Sequence, residues 1–267
     1  MWFDLNRFHH YYSDRFSANP IVLSVVETID STNRLLTQQL LDNKTNYSYQ
    51  AVIAQTQTAG RGQWGRTWTS EAGGLYVSLG FKDIPNAILP NPILTSPIPN
   101  DRFSLIPLAV AWGVANGLRL EGIPVQLKWP NDLILQRRKL GGILVEKSSS
   151  AIVIGIGINW KNHPPEPGIA LQAYQQKEPM PAIESLEQLT AIVLAGVIYG
   201  YQEWLNPQHP LADCIDRYEA ILSNRGQWIP LKNQIGKVMG ITPTGALRVQ
   251  GEEIEFYFSP GTLQLGY

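Results

Sequence analysis

A glycine-rich hexapeptide, Gly60-Arg61-Gly62-Gln63-Trp64-Gly65, sits between two strand-like segments with no helix after it. The spacing G-x-G-x-x-G also occurs where a strand turns into a helix that holds a dinucleotide pyrophosphate. Here the following "RTWTSEAGG" is a poor helix start and runs into the alternating segment Gly74 to Phe81. Asp83 lies at about the distance expected of a ribose-binding acid, but outside any convincing second strand. A nicotinamide oxidoreductase is therefore the most distant reading of this chain. The loop, from Gln55 to Trp68, also carries Arg61 and Arg66. Glycines let backbone N–H groups approach an anion, and arginines add permanently charged bidentate donors. A surface turn with solvated arginines is the bland alternative. Three glycines and two arginines in so short a run favour an anion site.

The rest of the chain reads as mixed α and β. Strands are expected at Ile21–Glu27, Tyr49–Thr56, Gly74–Phe81, Val125–Trp129, Leu133–Leu135, Gly141–Glu146 and Ala151–Asn159. Helices are expected after Asp30-Ser31, over Phe103–Leu120, over Ser185–Trp204 and over Leu211–Leu222. Two irregular connections interrupt them. One runs from Lys82 to Asp101 and contains five prolines; the other runs from Asn162 to Pro181. From Arg225 onward short strands alternate with Gly, Asn and Pro turns, the pattern of a small antiparallel barrel or sandwich. We therefore expect a boundary near Ser223, dividing the chain into 1–222 and 223–267.

Composition excludes several classes. The 267 residues are 44% hydrophobic and 16% charged, with a net charge of -1, so a large core is affordable and a nucleic-acid partner is not expected. The single cysteine, Cys214, can form neither an internal disulfide nor a thiolate zinc site, which fits a reduced, cytoplasmic setting. None of His9, His10, His163 and His209 pairs with it at a metal-ligand spacing. The aromatic N-terminus is no signal peptide, and no run approaches the roughly 20 apolar residues of a membrane span.

Three further segments carry chemistry. Lys128-Trp129-Pro130-Asn131-Asp132 reads as a strand, a tight turn and a strand. Lys139 precedes Leu140-Gly141-Gly142 and a strand ending in Glu146, where paired glycines permit close approach to a ligand. Gly155-Ile156-Gly157-Ile158-Asn159 ends an apolar strand, which either packs tightly in a core or meets a ligand. Each segment alone has an ordinary structural reading.

Taken in order with Ser31-Thr32-Asn33 and Gln57-Thr58-Ala59-Gly60-Arg61-Gly62, these segments resemble the biotin protein ligase family over roughly Val22 to Leu265. The resemblance implies an α+β catalytic domain on a mixed sheet, of the class II synthetase and biotin protein ligase kind, followed by a small SH3-like β-barrel. It implies ATP-dependent activation of biotin to biotinyl-5′-AMP with Mg2+, then transfer to a lysine of a biotin carboxyl carrier protein. Biotin would be held by Ser31, Thr32, Asn33, Gln57, Arg61, Gly62, Gln63, Lys139 and Gly155. The nucleotide would be held by Arg66, Trp68, Asn131, Asp132 and Asn159. Lys139, Arg61, Lys128 and Asp132 would act at the reacting centre. Asp132 stands either for magnesium or for the incoming lysine, and no metal ligand is assigned.

The chain departs from the family pattern at Gln63, where many relatives carry an arginine that helps order the loop over the acyl-adenylate. Gln63 can donate hydrogen bonds but supplies no charge, so those contacts are expected to shift toward Arg61 and Arg66. Some relatives also carry an N-terminal winged-helix domain. The strand at Ile21 leaves no room for one, so no operator binding is expected. An edge-strand homodimer is compatible with such a fold. The rival readings are a lipoate or octanoyl ligase and a non-catalytic biotin sensor; the presence of Lys139 and Asp132 speaks against the sensor.

Overall fold

A computed structural model describes residues 2–16, 20–42, 49–82, 104–148, 151–178, 183–232, 234–263 and 265–266. The proline-rich connection expected from Lys82 to Asp101 falls almost wholly outside them. Seven strands form one mixed sheet: β1 (Ile21–Ile29), β2 (Tyr49–Gln57), β3 (Leu75–Lys82), β4 (Gln126–Lys128), β5 (Asp132–Leu135), β6 (Arg138–Lys147) and β7 (Ala151–Ile158). Their order is β1-β2-β3-β7-β6-β5-β4. Only β1 and β2 run parallel; the other neighbours are antiparallel.

The central strand shows how sequence dictates the layers. Successive side chains of a strand point to opposite faces. In β7, Ile152, Ile154, Ile156 and Ile158 enter the main core, while Ala151 and Val153 face a smaller cluster with Leu36 and Leu40. Those leucines belong to α2 (Thr32–Asp42), which covers that second face. Opposite it, α3 (Ile106–Leu120) and α5 (Leu186–Leu205) pack on each other against the main core. Ser185 caps α5, its hydroxyl accepting from Gln188 N at 3.2 Å. Further along the α2 face, β7 carries only Gly155 and Gly157. That bare stretch is where the candidate site lies.

Two helices go beyond the sequence expectation. Leu5–Phe16 forms α1, docked on α5 through buried Phe8 and Tyr12, with Asp4 N donating to Glu187 Oε1 at 2.9 Å. The expected irregular connection after Asn162 contains α4 (Leu171–Gln175), formed because Leu171 and Tyr174, three apart, are both buried. Among the described residues no helix is long and apolar enough to cross a membrane.

After α6 (Leu211–Glu219) come β8 (Trp228–Pro230), β9 (Ile235–Ile241), β10 (Leu247–Gln250) and β11 (Glu255–Phe258). They form a small antiparallel sheet in the order β11-β10-β9-β8. Its inward residues Val238, Ile241, Leu247 and Val249 join the main core. Trp129 Nε1 donates to Gly245 O at 3.0 Å across the junction.

Candidate functional site

The turn before α2 and the first residues of that helix supply Ser31, Thr32 and Asn33, all buried. Their positions are fixed by a polar relay. Thr32 donates to Gln57 Oε1 through its backbone N–H at 2.9 Å and its hydroxyl at 3.1 Å. Gln57 Nε2 donates to Ser70 Oγ at 2.8 Å, and Ser70 donates on to Trp68 O at 3.2 Å. Ser78, fully buried on β3, lies 2.8 Å from Thr32 Oγ1 and 2.6 Å from Asn33 Oδ1. Its single proton serves one of these acceptors at a time.

Asn33 leans on the bare strand. A methyl added at Gly155 would overlap the Asn33 amide, with Asn33 Cγ at 2.9 Å. The same addition at Gly157 would lie 2.6 Å from Trp68 Nε1. The glycines on β7 are thus explained by the side chains lying on them. Trp68 Nε1 is buried and has no hydrogen-bond partner among the described residues.

The glycine-rich loop folds back on itself. Trp68 N donates to Gly60 O at 2.9 Å, Gly62 N to Arg66 O at 2.7 Å, and Arg61 bridges Thr67. Its tip, Gln63–Gly65, is a tight turn in which Trp64 and Gly65 have positive φ. Arg61 Nη2 reaches Glu146 Oε2 at 3.1 Å, and Asn33 Nδ2 donates to that same oxygen at 2.7 Å. Glu146, near the end of β6, therefore ties the loop to the start of α2.

The far wall comes from the β4–β5 hairpin and β6. Lys128 and Asp132 face each other in register. Lys139 Nζ lies 2.7 Å from Asp132 Oδ1 and 5.4 Å from the centroid of the Trp68 ring. Asn131 is held by the Ile143 carbonyl, to which its Nδ2 donates, while Ile143 N donates to Asn131 O at 3.1 Å. Lys128 is 7% exposed. Burial pulls its ammonium down to about 8; Asp132 opposes that shift, and Lys139 and Arg66 add to it.

These walls enclose a cavity of about 550 Å³. Every residue expected from the sequence to bind biotin or act at the reacting centre lines it, as do Arg66, Trp68, Asn131 and Asp132. Asn159 does not. It is buried beneath the wall, its Nδ2 donating to Lys139 O at 3.2 Å and its Oδ1 accepting from Asn162 at 3.1 Å. Arg61, Arg66, Lys128 and Lys139 set their charges against Asp132 and Glu146, an excess suited to an anionic ligand.

The sequence from residue 25 to 161 matches the family described as Biotin/lipoate A/B protein ligase. The chain is 31% identical over 245 residues to the bifunctional ligase/repressor BirA of Escherichia coli, spanning 87% of this chain and 70% of that one. The chain belongs to the biotin/lipoate A/B protein ligase family. It is also 32% identical over 120 residues to the biotin–[acetyl-CoA-carboxylase] ligase of Mycobacterium tuberculosis, a match spanning 43% of this chain and 41% of that one. In fold it is similar to the biotin protein ligase of Aquifex aeolicus solved in complex with biotin and ATP. That likeness has a TM-score of 0.69 at 24% identity and covers 90% of this chain and 96% of the other.

Sequence reasoning gave no role to three features of this family member. Ser78 is the lone serine in a largely apolar strand, "LYVSLGF", and that polarity is a usable signal. Glu146 closes a recognisable segment but shows its two partners only in three dimensions. The C-terminal residues Gly261, Thr262, Leu263, Leu265 and Gly266 also line the cavity, and nothing in their composition announces it.

Proposed function

We propose that this chain activates biotin with ATP to biotinyl-5′-AMP and transfers the biotinyl group to a lysine of a biotin carboxyl carrier protein. The observation that carries this reading is the convergence of the Ser31–Asn33 turn, the glycine-rich loop and the Lys139–Asp132 pair on one cavity. A ureido ring offers one carbonyl and two N–H groups, and the hydroxyls and amides of Ser31, Thr32, Asn33 and Gln57 suit it. The bare backbone at Gly155 leaves space beside them. Arg61, with Gly62 and Gln63, holds the carboxylate side of biotin. Arg66, Trp68 and Asn131 serve the nucleotide, and Asn159 acts from beneath by holding the Lys139 carbonyl rather than by touching it.

Bringing a carboxylate onto an α-phosphate places two anions together, so fixed positive charge must be in position beforehand. Lys139 supplies it, oriented by Asp132 at 2.7 Å. In the second step the carrier lysine attacks the mixed anhydride and AMP leaves. In that step Asp132 would receive the proton of the attacking lysine. Among the described residues no group of three or more His, Cys, Asp or Glu side chains is gathered for a metal. One carboxylate in the cavity, Asp132, fits magnesium that arrives on the ATP phosphates and keeps most of its waters. Magnesium would there offset phosphate charge.

The test is acid selectivity. Purified protein is incubated with ATP, a carrier domain and either biotin, lipoate or octanoate, and the carrier mass is read. Labelling with biotin alone is expected. Labelling with lipoate or octanoate in preference to biotin would replace this reading with that of an acyl ligase of the same fold.

A further inference from the structure

The tip of the glycine-rich loop is conformationally unusual. Trp64 has φ 61° and ψ 33°, a left-handed backbone that a bulky side chain rarely adopts. The residue is 69% exposed, so core burial does not hold it there. What it touches is the C-terminal segment. Gly261 has φ +91°, and a methyl placed on it would overlap the Trp64 indole. The ring therefore rests on bare backbone.

That backbone is itself fixed. Thr262 turns back on Ser259, its N–H donating to Ser259 O at 3.1 Å and its hydroxyl at 2.8 Å. Leu263 and Leu265 pack against the main core. Thus the segment is anchored on one side and presents Gly261 on the other, and both it and Trp64 line the cavity. We propose that Trp64 and Gly261 form a clasp, which closes the glycine-rich loop against the C-terminal segment and slows ligand exit from the cavity. In this chain an apolar contact then orders a loop in which the residue before Trp64, Gln63, brings no charge.

The inference rests on the biotin reading of the cavity, so the experiment separates the two. Wild type, Trp64→Ala, Trp64→Phe and Gly261→Ala are loaded with labelled biotin and chased with unlabelled biotin. Both alanine variants are expected to release biotin on the order of tenfold faster, with Trp64→Phe close to wild type and the double alanine variant no faster than either single one. Release within twofold of wild type in both alanine variants overturns the clasp. If wild type binds no biotin, the functional reading fails, and amide exchange decides the clasp by itself. Trp64→Ala must then accelerate exchange both in 60–66 and in 259–263. Unchanged exchange in either segment overturns it.

Discussion

At the scale of the residue, Lys128 links burial to chemistry. Its ammonium is pushed down to about 8 in the ligand-free protein, chiefly by burial. At pH 8.5 the amine is therefore largely neutral, and a polyphosphate bound beside it favours the charged form. ATP binding at pH 8.5 is expected to take up a proton, measured by calorimetry in buffers of different ionisation enthalpy. Lys128→Met should abolish the uptake; equal uptake in both proteins would remove Lys128 as its source. Gly155 is the opposite case, a residue whose role is to have no side chain. Gly155→Ala pushes a methyl into Asn33, and urea unfolding should show a loss of about 1–3 kcal/mol. Both positions were marked in the sequence by their motifs. Ser78 was not, because a single serine in a strand carries no partner information. Ser78→Ala leaves Thr32 and Asn33 without their shared donor, a buried change worth about 1–3 kcal/mol by the same measurement.

At the scale of the element, the strand–loop–strand arrangement around Gly60–Gly65 was legible because hydrophobic alternation resumes after the loop. Turn residues likewise placed strands on either side of Pro130–Asp132; the structure starts β5 at Asp132 itself, opposite Lys128, a pairing the sequence did not show. Sequence reasoning overlooked α1, whose buried face is aromatic (Phe8, Tyr12) rather than aliphatic, and α4, which is a little over one turn long. The short C-terminal strands were foreseen as a barrel or sandwich; β8 and β11 are the two edges of the small sheet. Glu146 joins three elements at once: β6, α2 and the loop. The Arg61 and Glu146 side chains are 50% and 33% exposed, so their ion pair contributes at most about 1 kcal/mol. Glu146→Gln is therefore expected to leave the melting temperature nearly unchanged while hydrogen exchange in the loop speeds up. A large fall in melting temperature would show that the carboxylate serves the fold instead of the loop.

At the scale of the whole molecule, we propose the division near Ser223 as one of chain organisation rather than of independent folding. The strands on each side form separate sheets, yet Val238, Ile241, Leu247 and Val249 lie in the same core as β7. Ser223 N donates to Leu127 O at 2.7 Å, and Trp129 reaches Gly245. Sequence texture locates such a boundary but is blind to packing across it. The cavity draws on both parts, since Gly261 and Leu263 complete walls begun by Arg61 and Lys139. We propose that this cavity adenylates an acid with Lys139 as its fixed charge. Exchange of labelled pyrophosphate into ATP, with and without biotin, tests it most directly. Exchange is expected to depend on biotin in wild type and to fall at least about 10²-fold in Lys139→Ala, while biotin affinity changes far less. Exchange without biotin, or near-normal exchange in Lys139→Ala, would contradict it.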